Sequence, residues 1–220
     1  MELKIILTGA TGMAGEGVLL ECLDNPAIQK VLMVNRKPSP IAHAKLKELI
    51  MPDFLHPEGF DKVLTGYDAC FFCAGISSVG MSEEKYTLIT YDTTMAFAKK
   101  LVSLNSGMVF NYITGSGTDG SEKGKIMWAR VKGKTENDLQ KLGFKGQYNF
   151  RPGGMWPVKG QQNSKAVYTI ILSVLKFFIP KKIMTLNELG KAMIYTAGKG
   201  YGKAVLEIED IKTLANAPLN

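Results

Sequence analysis

Histidine and cysteine are scarce in this 220-residue chain, with two of the first and three of the second. His43 and His56 are too few to build an imidazole-based zinc or iron centre, so no metal site is expected. Three cysteines are too few, and odd in number, for a secreted disulfide framework. Long apolar runs are missing too. The most apolar segment, residues 166–179, is 14 residues long, carries Lys176 and stops at Pro180-Lys181-Lys182. A membrane span needs roughly 20 apolar residues. The segment reads as a helix against the core, with a membrane-surface helix on a basic flank as the alternative. The N-terminus enters a strand-like run without the basic, apolar, small order of a signal peptide, so a cytoplasmic location is expected.

What is present has ordinary globular proportions, 45% hydrophobic and 21% charged, which excludes disordered and collagen-like chains. The length supports a full core in one large domain or a tight pair. A formal charge of +7 asks for an anionic ligand, surface or partner without naming it. Between residues 123 and 145 there are seven basic side chains and two acidic ones, Glu136 and Asp138, with little aromatic interleaving. That pattern reads as a solvated helix face, and no nucleic-acid partner is expected.

Strand and helix patterns alternate throughout. Strands are predicted at residues 3–7, 31–34, 48–51, 69–73, 108–113, 147–150 and 204–208, and a helical turn at 42–46. Helices are predicted at 12–23, 57–64, 83–104, 125–142, 164–179 and 186–197. This alternation specifies an α/β fold, a doubly wound parallel sheet that binds ligands at its carboxyl edge. A single domain over 1–220 is expected: a cofactor core at 1–155, a substrate-side lid at 156–203 and a return to the sheet at 204–220.

The first strand runs into Thr8-Gly9-Ala10-Thr11-Gly12-Met13-Ala14-Gly15, immediately before a helix. A glycine-rich turn in that context is a dinucleotide fingerprint. Gly9 permits the sharp turn, Gly12 lets backbone approach a pyrophosphate, and Gly15 lets the helix pack close to the strand. Thr11, Met13 and Ala14 flank the phosphate position, where the helix dipole favours negative charge. Asn35-Arg36-Lys37 ends the second strand, where the ribose 2′ position is read. No acidic residue is there to accept from a 2′-hydroxyl, while Arg36 offers a donor fork to a 2′-phosphate and Lys37 adds charge. NADP(H) is therefore expected in preference to NAD(H). Cys70-Phe-Phe-Cys73 lies on a strand, where positions three apart face opposite sides, so buried and non-catalytic cysteines are expected.

The spacing Gly-x-x-Gly-x-x-Gly after threonine resembles the short-chain dehydrogenase/reductase superfamily. Asp53-Phe54, the run 68–75, Val131-Lys132-Gly133 and Arg151-Pro152-Gly153 extend the likeness nearly end to end. The nearest resemblance is to atypical, extended-type members: Tat-interacting-protein-like oxidoreductases and NAD-dependent epimerase/dehydratase-like proteins. It implies that Asp53 and Phe54 neighbour the adenine, that Ala74 and Gly75 pass the ribose or pyrophosphate, and that Pro152 and Gly153 pass the nicotinamide. Met155, Trp156, Tyr168 and Phe177 fall in the implied substrate lid, where plain packing is the competing role.

In that superfamily a tyrosine moves the substrate proton, and a lysine four positions on holds the nicotinamide ribose. Here the stretch is Trp128-Ala-Arg-Val-Lys132. Lys132 is in place, but Trp128 stands where tyrosine belongs, and an indole N–H donates without acting as an acid or base near neutrality. Thr114 or Ser116 supplies the implied hydroxyl at the end of the fifth strand. Three routes around the missing phenol stay open: a slipped alignment in the 117–124 loop, another tyrosine (Tyr91, Tyr112 or Tyr168), or Lys132 itself. The expected function is an NADP(H) oxidoreductase on a small carbonyl or hydroxyl compound. The alternatives are an NADP(H)-sensing or scaffold protein with an oligomeric or protein partner, and a sugar-nucleotide epimerase.

Overall fold

Leu3–Thr8 (β1) is buried at every position except Lys4, as a central strand covered on both faces must be. Its side chains alternate: Ile5 and Leu7 enter one apolar cluster, Ile6 the other. The same alternation recurs in β2 (Ile28–Asn35), β4 (Ala69–Phe72) and β5 (Val109–Ile113), so the sheet separates two cores. The structure is a computed structural model and describes residues 2–163 and 182–219. The predicted helix at 164–179, with Tyr168 and Phe177, lies outside the described residues.

With β3 (Leu46–Ile50), β6 (Gly146–Phe150) and β9 (Val205–Leu206), these strands form a seven-stranded sheet in the order β3-β2-β1-β4-β5-β6-β9. Every pairing is parallel. The sheet is the doubly wound, Rossmann-type sheet expected, with its order reversing between β1 and β4. On one face lie α1 (Met13–Asp24), α6 (Leu186–Lys199) and α7 (Ile208–Ala215). The other face carries α4 (Thr93–Leu104) and α5 (Met127–Leu139). Two short helices, α2 (Asp61–Leu64) and α3 (Glu83–Thr87), precede α4.

Helices α1 and α6 meet at backbone range. A Cβ on Gly17 would lie 2.6 Å from the Leu186 Cβ, and one on Gly190 2.7 Å from the Glu21 Cβ. Asn187 of α6 also donates to the Glu21 carboxylate. The sheet is tied to α6 by Asn111, whose amide donates to Met193 O (2.9 Å) and Thr196 Oγ1 (3.0 Å).

Several boundaries differ from the sequence pattern. The helix expected at 83–104 runs unbroken over those residues, with a π turn at Leu88–Asp92 joining α3 to α4. Residues 57–60 stay out of α2 because Gly59 adopts φ +85°. The helical turn at 42–46 is one hydrogen-bonded turn, Leu46 N to His43 O, before Leu46 opens β3. The late strand stops at Leu206, because Glu207 caps α7 and shares a capping box with Asp210. A parallel pair, β7 (Gly154–Trp156) with β8 (Ile183–Thr185), was not anticipated. Among the described residues no helix is long and apolar enough to cross a membrane, and no cluster of three or more metal-ligating side chains occurs. All three cysteines are free; Cys22 and Cys70 are buried as expected, whereas Cys73 lies just past the end of β4 and is only half-buried, and desolvation pushes each thiol pKa up.

Candidate functional site

At the end of β1 the chain turns at Gly9, with φ +74°. A Cβ there would sit 2.6 Å from the Ala74 nitrogen, and one on Gly15 would sit 2.1 Å from the Gly9 oxygen. The packing of β1, β4 and α1 demands those two glycines. Gly12 is different: its Cβ would meet only Gly9 O, at 3.4 Å. Nothing else among the described residues needs Gly12 bare, and its missing side chain leaves room in the cleft instead. No side chain caps the N-terminus of α1 at Gly12, so its first-turn N–H groups remain available to an anion.

The cleft measures about 810 Å³. Gly9, Thr11 and Gly12 form its floor beside the helix; Asn35, Arg36 and Lys37 form a wall; Phe54, Ala74 and Gly75 line it as well. A smaller hollow of about 210 Å³ adjoins it, lined by Asp53 together with Arg36, Phe54, Gly75, Leu88 and Ile89. Asp53 itself accepts from Leu55 N at 2.8 Å. Phe54 is largely buried, its ring 5.0 Å from that of Phe97. Met13, Ala14 and Gly15 form the first turn of α1 and offer the cleft no side chain: Met13 and Ala14 pack on the core, and Met13 O accepts from Gln161 Nε2 at 2.5 Å. Sequence reasoning missed Val34, Pro38, Pro52 and Cys73 as lining residues. Their position just at the carboxyl ends of strands was the available signal.

The residues expected to carry chemistry gather at the carboxyl end of β5 and on α5, and none of them lines the cleft. Lys132 Nζ donates to Thr114 O at 2.8 Å. Burial lowers its pKa to about 8, opposed by the negative charge of Glu136 one turn on. The Thr114 hydroxyl is occupied by Glu136 Oε1, at 2.7 Å. Glu136, fully buried, also takes a two-pronged contact from Arg151, at 2.5 Å and 3.0 Å. Ser116 is exposed, and its N–H donates to Pro152 O at 2.9 Å. Gly153 owes its bareness to the chain, since a Cβ would lie 2.4 Å from Lys182 O.

The Trp128 ring is half-buried against the 115–117 loop, within 3.9 Å of where side chains would start at Gly115 and Gly117. The described tyrosines proposed as substitutes are engaged elsewhere. Tyr91 donates to Asp138 at 2.8 Å, and Tyr112 is buried in the core with its pKa pushed up by burial.

Residues 5–117, just over half the chain, match the family described as NAD dependent epimerase/dehydratase. The chain belongs to that family. Among curated relatives, "Protein fmp52, mitochondrial" of Emericella nidulans is 28% identical over 157 residues, covering 68% of this chain and 66% of that protein. Protein HTATIP2 of Rattus norvegicus is 24% identical over 153 residues, covering 68% and 62%. This chain thus spans slightly under two thirds of the length of these relatives. The fold is shared with the ADP-L-glycero-D-manno-heptose-6-epimerase of Helicobacter pylori, with TM-score 0.70, 14% identity and coverage of 99% and 82%. It is shared equally with the UDP-glucuronic acid 4-epimerase of Bacillus cereus in complex with NAD, with TM-score 0.68, 15% identity and coverage of 94% and 76%.

The NAD-dependent family calls for a nicotinamide cofactor, and the cleft residues of this family member fit one. Gly12 leaves the space that a side chain would fill, and Asn35 Oδ1 is a buried acceptor in the wall without a partner among the described residues. Neither Arg36 nor Lys37 forms an ion pair among the described residues.

Proposed function

We propose that this family member is an NADP(H)-dependent oxidoreductase acting on a small carbonyl or hydroxyl compound. The observation that carries the reading is the cleft wall. Arg36 and Lys37 stand beside the glycine turn, unpaired with any described carboxylate, where a 2′-phosphate would be read. Gly9, Thr11 and Gly12 would hold the pyrophosphate, and Ala74 and Gly75 would flank the ribose. A bound nicotinamide supplies or takes up the hydride.

The proton falls to Lys132 in this reading. Its ammonium is held at Thr114 O and desolvated to a pKa of about 8, close to the pH at which a general acid works best. In the reducing direction it donates a proton to the substrate oxygen; in the oxidising direction the neutral amine accepts one. Trp128 walls the same region with an apolar ring and one N–H donor. A second reading, cofactor binding without turnover, is favoured by that tryptophan, because Tyr91 and Tyr112 are both engaged elsewhere.

The test is NADPH consumption with a panel of aldehydes and ketones, alongside calorimetric NADPH binding. Turnover that disappears in Lys132→Met while binding persists supports the first reading. Binding with no turnover on any substrate selects the second, and absence of NADPH binding removes both.

A further inference from the structure

Glu48 lies on the edge strand β3 and lines neither the cleft nor the adjoining hollow. One of its carboxylate oxygens, Oε1, accepts from the Asn35 side-chain amide at 3.2 Å and from Ser39 N at 2.9 Å. Those two donors bracket Arg36, Lys37 and Pro38, the exposed loop that lines the cleft. Asn35 is further fixed through its carbonyl, which accepts from Met51 N at 2.8 Å. A single acceptor therefore closes the loop at both ends.

Glu48 pairs with neither cation that it encloses. None of the ion pairs among the described residues involves Glu48, Arg36 or Lys37. Two opposite charges on neighbouring chain segments that leave each other free make sense if one carboxylate oxygen is engaged by N–H donors of the loop and the cations are reserved for another anion.

We propose that Glu48 is a positioning residue for cofactor choice: by holding the 35–39 loop closed, it presents Arg36 and Lys37 to the 2′-phosphate. The inference rests on the NADP(H) reading of the cleft. It concerns pre-organisation, because a loop already shaped before binding loses less freedom when the phosphate arrives. A competing effect has the opposite sign. If the Glu48 charge acted chiefly by repelling the phosphate, removing it would tighten NADPH binding, and more so at low salt.

The experiment measures NADPH and NADH affinities by calorimetry for the parent, Glu48→Ala, Glu48→Gln, Arg36→Ala and the Arg36→Ala/Glu48→Ala double variant. Thermal melting serves as the folding control. Glu48→Ala is expected to weaken NADPH about tenfold, equivalent to about 1.4 kcal/mol, with NADH changed less than about twofold. Glu48→Gln keeps an amide oxygen in the same place and should restore NADPH binding. The double variant should match Arg36→Ala alone, since Glu48 acts through the loop cations.

Equal losses for NADPH and NADH in Glu48→Ala would mean a merely structural role and overturn the proposal. So would tighter NADPH binding, or a Glu48→Gln variant as weak as Glu48→Ala. If the parent binds both cofactors equally, the NADP(H) reading itself has failed. If Arg36→Ala abolishes a clear preference that Glu48→Ala leaves intact, only the inference about Glu48 falls.

Discussion

Alanine at Gly15 places a methyl carbon 2.1 Å from the Gly9 carbonyl oxygen and 2.5 Å from its carbon. Both obstacles are backbone, so no rotamer change relieves them; α1 must lift from β1 or the turn must open. Overpacking of this kind costs about 1–3 kcal/mol, and the rigid obstacle puts Gly15→Ala at the upper end. Replacing glycine inside a helix returns up to about 1 kcal/mol, leaving a net loss of about 2 kcal/mol. For a chain of this size that lowers Tm by about 4–8 °C. Gly12→Ala meets only a 3.4 Å contact, and the position is extended, at φ −104°. Its cost is the weaker helix start, at most about 1 kcal/mol. Calorimetric melting and NADPH titration should therefore separate the two positions. Gly15→Ala loses stability, whereas Gly12→Ala melts close to the parent and loses NADPH affinity by about tenfold or more. Parental NADPH affinity in Gly12→Ala would refute the assignment of the turn to the cofactor. Parental melting of Gly15→Ala would refute the packing argument.

Reduction should decline as pH rises through about 8, because Lys132 must be protonated to donate, while oxidation should rise over the same interval; Lys132→Met should abolish both limbs in pH–rate profiles. Arg151→Met leaves the buried Glu136 carboxylate unpaired, which costs about 3–5 kcal/mol in urea titrations; a loss below about 1 kcal/mol would show that the pair behaves as a surface contact. Trp128→Tyr places a phenol one helical turn from Lys132 and should raise carbonyl reduction, since acid–base catalysis contributes about 10²–10⁴-fold. An unchanged rate would remove Trp128 from the vacant proton-transfer position.

The strands read well from sequence where burial on both faces made them almost wholly apolar, as in β1 and β4. The edge was harder. Leu46–Ile50 is half exposed and carries Lys47 and Glu48, so its start passed for a helical turn. The π turn at Leu88–Asp92 has no pattern of its own, because one extra residue in a helix barely disturbs the apolar period. Within the cleft, Gly9, Gly12, Arg36 and Lys37 were legible because each carries a local chemical reason. The engagement of the Thr114 hydroxyl by Glu136 was not, since the two lie 22 residues apart and meet only through β5 and α5. Nor was the packing demand on Gly153 legible, since the Lys182 backbone that a Cβ there would meet is 29 residues away in the chain.

The reciprocal glycine contact between α1 and α6 fixes an order of events in synthesis. Glu21 waits for Asn187 across 166 residues, which at about 5–20 residues per second is roughly 8–30 s of translation. Until α6 leaves the ribosome, Val18, Leu19 and Cys22 lack the layer that covers them. Helix α1 is thus made long before the layer that covers it. A nascent chain arrested before residue 186 should leave α1 open to protease, and release of the full chain should close it.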